Sequence, residues 1–293
     1  MSSFERPWQP LVIVGAGRSG TNMLRDILTS LPGFSTWPCD EINYIWRHGS
    51  RAWPDDAIPA ERADESFQRF LDRRFTAQWK RSGQPIVVEK TCANSLRLPY
   101  VERALRGRAR YLHIVRDGRD VTASAEKRWT ASLDLRYVLK KARFVPPSDL
   151  PYYALRYLGA RLHRLRSSEK RLGSWGPRYP GMVEDLSQHP LGEVIAKQWD
   201  ACVRSSRDAL AALPAERSLT VSYEDFTADP VTGMQRIGDF IKQDWSAEQC
   251  AESTSQVSDR SVGGWKKKLE PELAARIEQQ FSPTLRWVEQ AEA

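Results

Sequence analysis

The spacing Gly15-x-Gly17-x-x-Gly20, with Arg18, Ser19 and Thr21 set among and after the glycines, concentrates groups that hold an anion. Glycines let the backbone turn tightly and approach a ligand, and the N–H groups that open the following helix point at whatever anion sits there. A phosphate or a sulfate is the natural guest. The glycine spacing matches the dinucleotide fingerprint, yet a pyrophosphate-only loop needs neither a cation nor two hydroxyls. The nucleoside-triphosphate loop requires Lys where Thr21 stands, and here the cation lies inside the loop as Arg18. Further along, Lys90 and Arg116 each follow an apolar, β-branched run, and strand ends in an open parallel sheet are where ligands sit. Arg116 offers a bidentate guanidinium, and Ser124 offers a hydroxyl from the helix that follows.

Elements must hold these groups in place. Residues 11–14 read as a strand entering the glycine loop, and the apolar spacing after Thr21 predicts a helix stopped by Leu31-Pro32-Gly33. Residues 34–37 predict a short second strand, and residues 54–63 a polar, proline-bearing connection. Phe67, Phe70, Leu71, Phe75 and Trp79 recur at three- and four-residue spacing, so residues 66–81 predict a helix whose apolar stripe faces the core. Residues 85–91 and 110–115 predict buried strands, with His113 a satisfied core histidine. Helices are expected at 192–213 and 231–241, a last strand and turn over 219–226 and closing helices over 270–293. Strands alternating with helices imply an α/β protein with a parallel sheet. Asp120 reads as a charge at a helix start, paired with Arg119.

The 293 residues suffice for one large α/β domain, and a single domain over 1–293 with a helical insertion at about 130–190 is expected. That insertion is crowded with Arg and Lys beside Tyr152, Tyr153 and Tyr157, and it ends in a turn-rich stretch from Trp175 to Gly181. A net charge of +7 favours a polyanionic cofactor, an acidic acceptor or an anionic surface. The charge is spread and no nucleic-acid motif appears, which argues against a nucleic-acid partner. Cys39, Cys92, Cys202 and Cys250 stand far apart with no histidine at metal spacing, so no metal site is expected, and reduced thiols fit a cytoplasmic enzyme. No apolar run reaches the roughly 18 residues that span a bilayer, leaving peripheral membrane contact open.

The Arg18 loop, the Arg116-Asp117-Gly118-Arg119 to Ser124 segment, Tyr223-Glu224-Asp225-Phe226, Ser253-Thr254-Ser255-Gln256-Val257 and Ser261-Val262-Gly263-Gly264-Trp265-Lys266 together resemble the sulfotransferases. The likeness covers nearly the whole chain outside 50–85 and 130–190, and its loop has the Arg-Ser-Gly-Thr form of the tyrosylprotein, carbohydrate and bacterial branches. It implies a P-loop-like α/β sandwich of three layers, with a central, mainly parallel sheet flanked by helices. It also implies the donor 3′-phosphoadenosine 5′-phosphosulfate (PAPS), released as 3′-phosphoadenosine 5′-phosphate (PAP). Gly17, Arg18, Ser19, Gly20, Thr21 and Asn22 would hold the 5′-phosphosulfate, and Arg116, Ser124 and Arg128 the 3′-phosphate side. Tyr223, Ser261, Gly263, Trp265 and Lys266 would lie about the nucleotide. An acceptor hydroxyl is a poor nucleophile until a base takes its proton. The resemblance puts that base at Glu41, with His48 as the competitor, while Asp40 suits a cap. Lys90, Arg18 and the amides of Ser19, Gly20 and Thr21 would neutralise charge on the sulfonate, so no metal is required, and Ser253 is a further donor.

The acceptor implied is a hydroxyl on a carbohydrate, lipid, phenol or tyrosyl group, with an acidic or membrane-associated molecule favoured by the basic insertion. Three other readings use parts of the same pattern. A P-loop kinase would need Lys at position 21 and a magnesium carboxylate. An NAD-dependent oxidoreductase rests on the glycine spacing and leaves Arg116 and Ser124 unexplained. A non-catalytic anion-binding protein would tolerate loss of Glu41 and Lys90.

Overall fold

Strand β1 (Gln9–Val14) is apolar on both faces, as a strand inside a covered parallel sheet must be. Leu11 and Ile13 enter one core, while Val12 and Val14 enter the other. The computed structural model describes residues 7–129, 141–155 and 175–291. It sets β1 between β3 (Ile86–Lys90) and β4 (Arg110–Val115), with β2 (Phe34–Ser35) beyond β3 and β5 (Ser218–Ser222) beyond β4. All four pairings are parallel, so the five carboxyl ends share one edge of the sheet. The chain leaves β1 toward β2 on one side and later crosses to β4 on the other. A crevice opens at such a reversal, at the end of β1.

Helices cover both faces. Against Leu11, Ile13, Leu112 and Ile114 lie α1 (Thr21–Ser30) and, further along the chain, the helices Tyr223–Ala228, Pro230–Ile241 and Ala247–Ser253. Against Val12, Val87 and Tyr111 lie α2 (Asn43–Trp46), α3 (Glu65–Ser82) and α4 (Leu98–Ala104). A third apolar cluster joins α5 (Gly118–Trp129), α6 (Met182–Gln188), α7 (Leu191–Ala211) and the closing helix Pro271–Glu289 around Trp129 and Trp199. These layers match the expected α/β sandwich, and the sheet is parallel throughout the described residues.

Local chemistry sets the helix ends. Asp64 accepts the Phe67 N–H at 2.8 Å to open α3, and Gly83 closes it in the left-handed region, one residue beyond each expected bound. The second strand ends at Ser35, two residues early, because Trp37 turns inward and packs edge-on against Phe75 at 4.9 Å. The closing helix Pro271–Glu289 consists of two helical stretches joined across a kink at Phe281, just ahead of Pro283. Of the expected insertion, residues 141–155 and 175–190 are described, and Tyr157 with the Arg and Lys residues at 130–140 and 156–174 lies outside the described residues. No helix among the described residues is long and apolar enough to cross a membrane.

Candidate active site

Gly15 can stand where it does only without a side chain, since a Cβ there would lie 2.5 Å from the Ile114 carbonyl oxygen on the neighbouring strand. Its N–H donates to Ser95 Oγ at 3.0 Å. Gly20 has φ 91°, and its Cβ would meet the Tyr223 ring at 2.5 Å. Arg18 itself has φ 74°, a left-handed conformation that is strained for a residue with a side chain. That strain aims its guanidinium across the crevice, where Nε donates to Ser124 Oγ at 2.9 Å. The Ser124 hydroxyl keeps its own hydrogen for a further acceptor. One expectation is corrected: the Ser19 N–H donates to the Ala16 carbonyl at 3.2 Å, so the loop offers the amides of Gly20 and Thr21 but not that of Ser19. The Ser19 hydroxyl is instead free, wholly buried and without a partner in the described structure.

Arg116 leaves β4 with its carbonyl held by Trp199 Nε1 at 3.0 Å. Its guanidinium lies 4.1 Å from the centre of the Tyr223 ring and donates to the Arg18 carbonyl at 3.2 Å and to Ser261 Oγ at 3.0 Å. Tyr223 and Ser261 share a hydrogen bond of 2.8 Å, and Arg116 Nε is buried without a partner. Burial, then the charges of Arg128 and Arg116, lower the Arg18 pKa. Like charges are thus packed together around a cleft of about 400 Å³, lined by Arg18, Ser124, Lys127, Arg128 and Lys268. A bound polyanion would relieve that repulsion.

Asp120 requires a correction. It does stand in the first turn of α5, but Arg119 pairs with Asp117 at 2.6 Å, and Asp120, buried at 4% exposure, accepts the N–H of Gly263 at 2.7 Å and that of Trp265 at 2.8 Å, tying the C-terminal loop to α5. Trp265 packs partly buried against the cluster around Trp199, with the Arg119 guanidinium 4.5 Å from its ring centre. Lys266 is exposed, and Lys268, which sequence reading passed over, reaches the cleft instead. Glu224 accepts the Asp117 N–H at 3.1 Å and braces the turn after β4.

At the end of β3, Lys90 Nζ lies 3.2 Å from Glu41 Oε1 and 3.3 Å from Asp40 Oδ1. Alternation along the strand turns Lys90 away from its sequence neighbour Glu89, whose carboxylate takes Thr91 and Asn94 instead. Glu41 Oε1 also accepts the Cys92 N–H at 3.3 Å. Burial opposes the Lys90 charge, yet Glu41, Cys92 and Asp40 hold its pKa above the usual lysine value. Burial likewise pushes Asp40 up, but Lys90, Lys141 and Arg25 prevail and bring it to about 2. Arg25, on α1, donates to the Asp40 carbonyl at 3.0 Å and was not singled out from sequence.

The remaining candidates lie apart from this pair. His48 Nδ1 is 2.8 Å from the wholly buried Asp149, which also takes Arg51 at 2.8 Å, and the imidazole packs at a tilt against Phe70, ring centres 4.1 Å apart. Ser253 donates to the Cys250 carbonyl at 3.0 Å within its own helix. Asn22 is exposed on the first turn of α1. Among the described residues no three His, Cys, Asp or Glu side chains gather as a metal site.

A crevice at the reversal of a parallel sheet, with an anion loop and arginines on one side and a lysine between carboxylates on the other, defines a nucleotide-binding group-transfer enzyme. The Sulfotransferase family profile matches residues 10–175 and 174–247, and the chain belongs to that family, whose enzymes move a sulfonate group from PAPS to an acceptor. The sulfotransferase domain from the curacin biosynthetic pathway superposes with a TM-score of 0.54 at 14% identity, covering 94% of this chain and 98% of that one. A sulfotransferase from Alicyclobacillus acidocaldarius gives 0.51 at 18%, covering 96% and 94%. Mouse sulfotransferase SULT7A1, complexed with PAP, gives 0.50 at 13%, covering 98% and 88%. At these identities the likeness is one of fold. A search of curated proteins finds no match.

Proposed function

We propose that this sulfotransferase uses Glu41 as its base and Lys90 with Arg18 as its charge-neutralising pair, with all 293 residues forming one domain. The observation that carries the reading is the 3.2 Å approach of Lys90 Nζ to Glu41 Oε1, beside Cys92, whose Sγ lies 3.5 Å from Thr21 Oγ1 of the anion loop. The site suits a nucleotide with two anionic ends: Ser19 Oγ and Arg116 Nε are buried without partners, and the cleft beside Arg18 is lined by cations. PAP bound to the mouse relative supports the same ligand here.

When bound, PAPS supplies the sulfonate. The amides of Gly20 and Thr21, with the Ser19 hydroxyl, hold the 5′ end, while Arg116, Ser124 and Arg128 hold the 3′-phosphate. Tyr223 and Ser261 fix the plane of Arg116, and the loop of Gly263, Trp265 and Lys266 closes over the nucleotide. Glu41 Oε1 is committed to Lys90 and Cys92, so Oε2 takes the acceptor proton. Lys90 and Arg18 oppose negative charge that grows on the oxygens between donor and acceptor. Asp40 and Arg25 hold Lys90 at the strand end. The basic, tyrosine-bearing composition of the insertion at about 130–190 favours a hydroxyl-bearing and acidic or surface-bound acceptor.

Calorimetric titration with PAP beside AMP, ATP and NAD, on the wild type and Arg116→Ala, tests the nucleotide reading. PAP should bind tightly, AMP weakly and NAD undetectably, and the mutant should lose the preference for the 3′-phosphate. Equal affinity for ATP or a preference for NAD would return the loop to a kinase or an oxidoreductase.

A further inference from the structure

Glu89 sits one residue before Lys90, wholly buried, and no step of the transfer uses it. An uncompensated buried carboxylate costs several kcal/mol, so the donors around it indicate what it does. Thr91 Oγ1 donates to Glu89 Oε1 at 2.5 Å, and Asn94 Nδ2 donates to Oε2 at 2.8 Å. Each donor continues a chain. Having given its proton to Glu89, Thr91 Oγ1 accepts the N–H of Ile42 at 3.3 Å. Asn94 Oδ1 accepts Arg97 Nε at 2.9 Å, and Arg97 Nη2 donates to Asn43 Oδ1 at 2.6 Å. Arg97 is itself buried and steadied by Asp56 at 3.5 Å. The two arms therefore converge on residues 42 and 43, immediately after Glu41.

We propose that Glu89 is a positioning residue whose buried carboxylate, through Thr91 on one arm and Asn94 with Arg97 on the other, fixes the Glu41–Asn43 turn so that Glu41 faces Lys90. The inference rests on the reading of Glu41 as base. Both arms donate into Glu89, so the carboxylate form fits, whereas a side-chain amide would set a donor against a donor. Burial pushes the Glu89 carboxyl up to about 7, and the Thr91 and Trp46 side chains with the charges of Arg97 and Lys90 oppose that rise.

The test compares Glu89→Gln, Thr91→Val, Thr91→Ser and Glu41→Gln in the full chain. Three quantities are read: amide hydrogen exchange of the peptide covering 40–46, PAP affinity by calorimetry, and PAP-dependent sulfonate transfer from 4-nitrophenyl sulfate. Glu89→Gln and Thr91→Val should each speed exchange of that peptide about tenfold and slow transfer by a similar factor, the effect of losing one buried hydrogen bond. PAP affinity should stay within about twofold, and Thr91→Ser, which keeps the hydroxyl, should restore wild-type behaviour. Unchanged exchange at 40–46 in Thr91→Val, or a rise spread evenly over the chain, overturns the proposal. Should Glu89→Gln not fold, the Val and Ser variants of Thr91 decide alone. Full transfer by Glu41→Gln, with exchange in the other variants as expected, would sink the base assignment while leaving the anchor standing.

Discussion

At the scale of the residue, the decisive contact is between Lys90 and the two carboxylates that face it. Replacing Lys90 with Met should slow sulfonate transfer by a factor on the order of 10² to 10³, the usual effect of removing one transition-state donor. PAP affinity should change little, because the proposed role of Lys90 is at the sulfonate and not at the nucleotide. Initial rates with radiolabelled PAPS, beside calorimetry with PAP, separate the two effects, and an equal loss in both would move Lys90 to nucleotide binding. Asp40 stays charged across the working range: with its pKa lowered to about 2, its stabilising pairing is complete above about pH 4 and fades as the pH falls through 2. The residue types were readable, but their pairings were not. Asp120 read as the partner of Arg119 because the backbone N–H groups it accepts lie 143 and 145 positions away.

At the scale of the element, two loops hang on single atoms. Gly20→Ala would force a side chain into a left-handed backbone and against the Tyr223 ring, so it should destabilise the fold by roughly 1–3 kcal/mol and weaken PAP binding. A thermal melt unchanged from wild type would show that the loop relaxes. Asp120→Asn replaces one acceptor oxygen with a donor facing Gly263 or Trp265. Exchange over residues 258–268 should rise, and PAP affinity should fall about tenfold as Ser261 loses its hold on Arg116. Unaltered protection of that segment would mean the loop is held elsewhere. Strand and helix spans agreed closely with the sequence because alternation, caps and breakers act within a few residues of one another. The early end of β2 was missed because Trp37 answers to a ring on α3.

At the scale of the whole molecule, β4 carries a titratable group in the centre of the fold. His113 is wholly buried between the sheet, α7 and the closing helix, with Nε2 2.9 Å from Ser206 Oγ and the ring 5.8 Å from that of Trp287. Ser206 gives its proton to the Cys202 carbonyl, so His113 donates from Nε2 and leaves Nδ1 as an unpartnered acceptor. Burial lowers its pKa to about 3. A depressed folded pKa means that the neutral ring favours folding above about pH 6.5, a contribution lost as the pH falls toward 3, worth roughly 5 kcal/mol in full. Glu89 acts in the opposite sense: its raised pKa favours folding below about 4.5 and that contribution is lost as the pH rises through 7. Urea unfolding of the wild type and His113→Gln across pH 4 to 7 should therefore give an acid-side loss that is steeper in the wild type. Parallel curves would show that His113 is not what the acid limb titrates.

The sequence by itself determined the anion loop, the α/β alternation and the strand ends that carry Lys90 and Arg116, since glycine spacing, apolar periodicity and helix breakers are local properties. Only the tertiary structure decided which charged groups meet. The strand order puts β1 between β3 and β4, so the Arg18 loop lies between Lys90 and Arg116. Strand alternation then turns Lys90 toward Glu41, 49 positions away, and Glu89 to the other face. His48 resembles Glu41 as a candidate base on paper, but packing hands it to Asp149, 101 positions on. A buried polar group takes whichever partner the packed elements bring within about 3 Å, and that choice belongs to the sheet order and helix docking, which no short stretch of chain encodes.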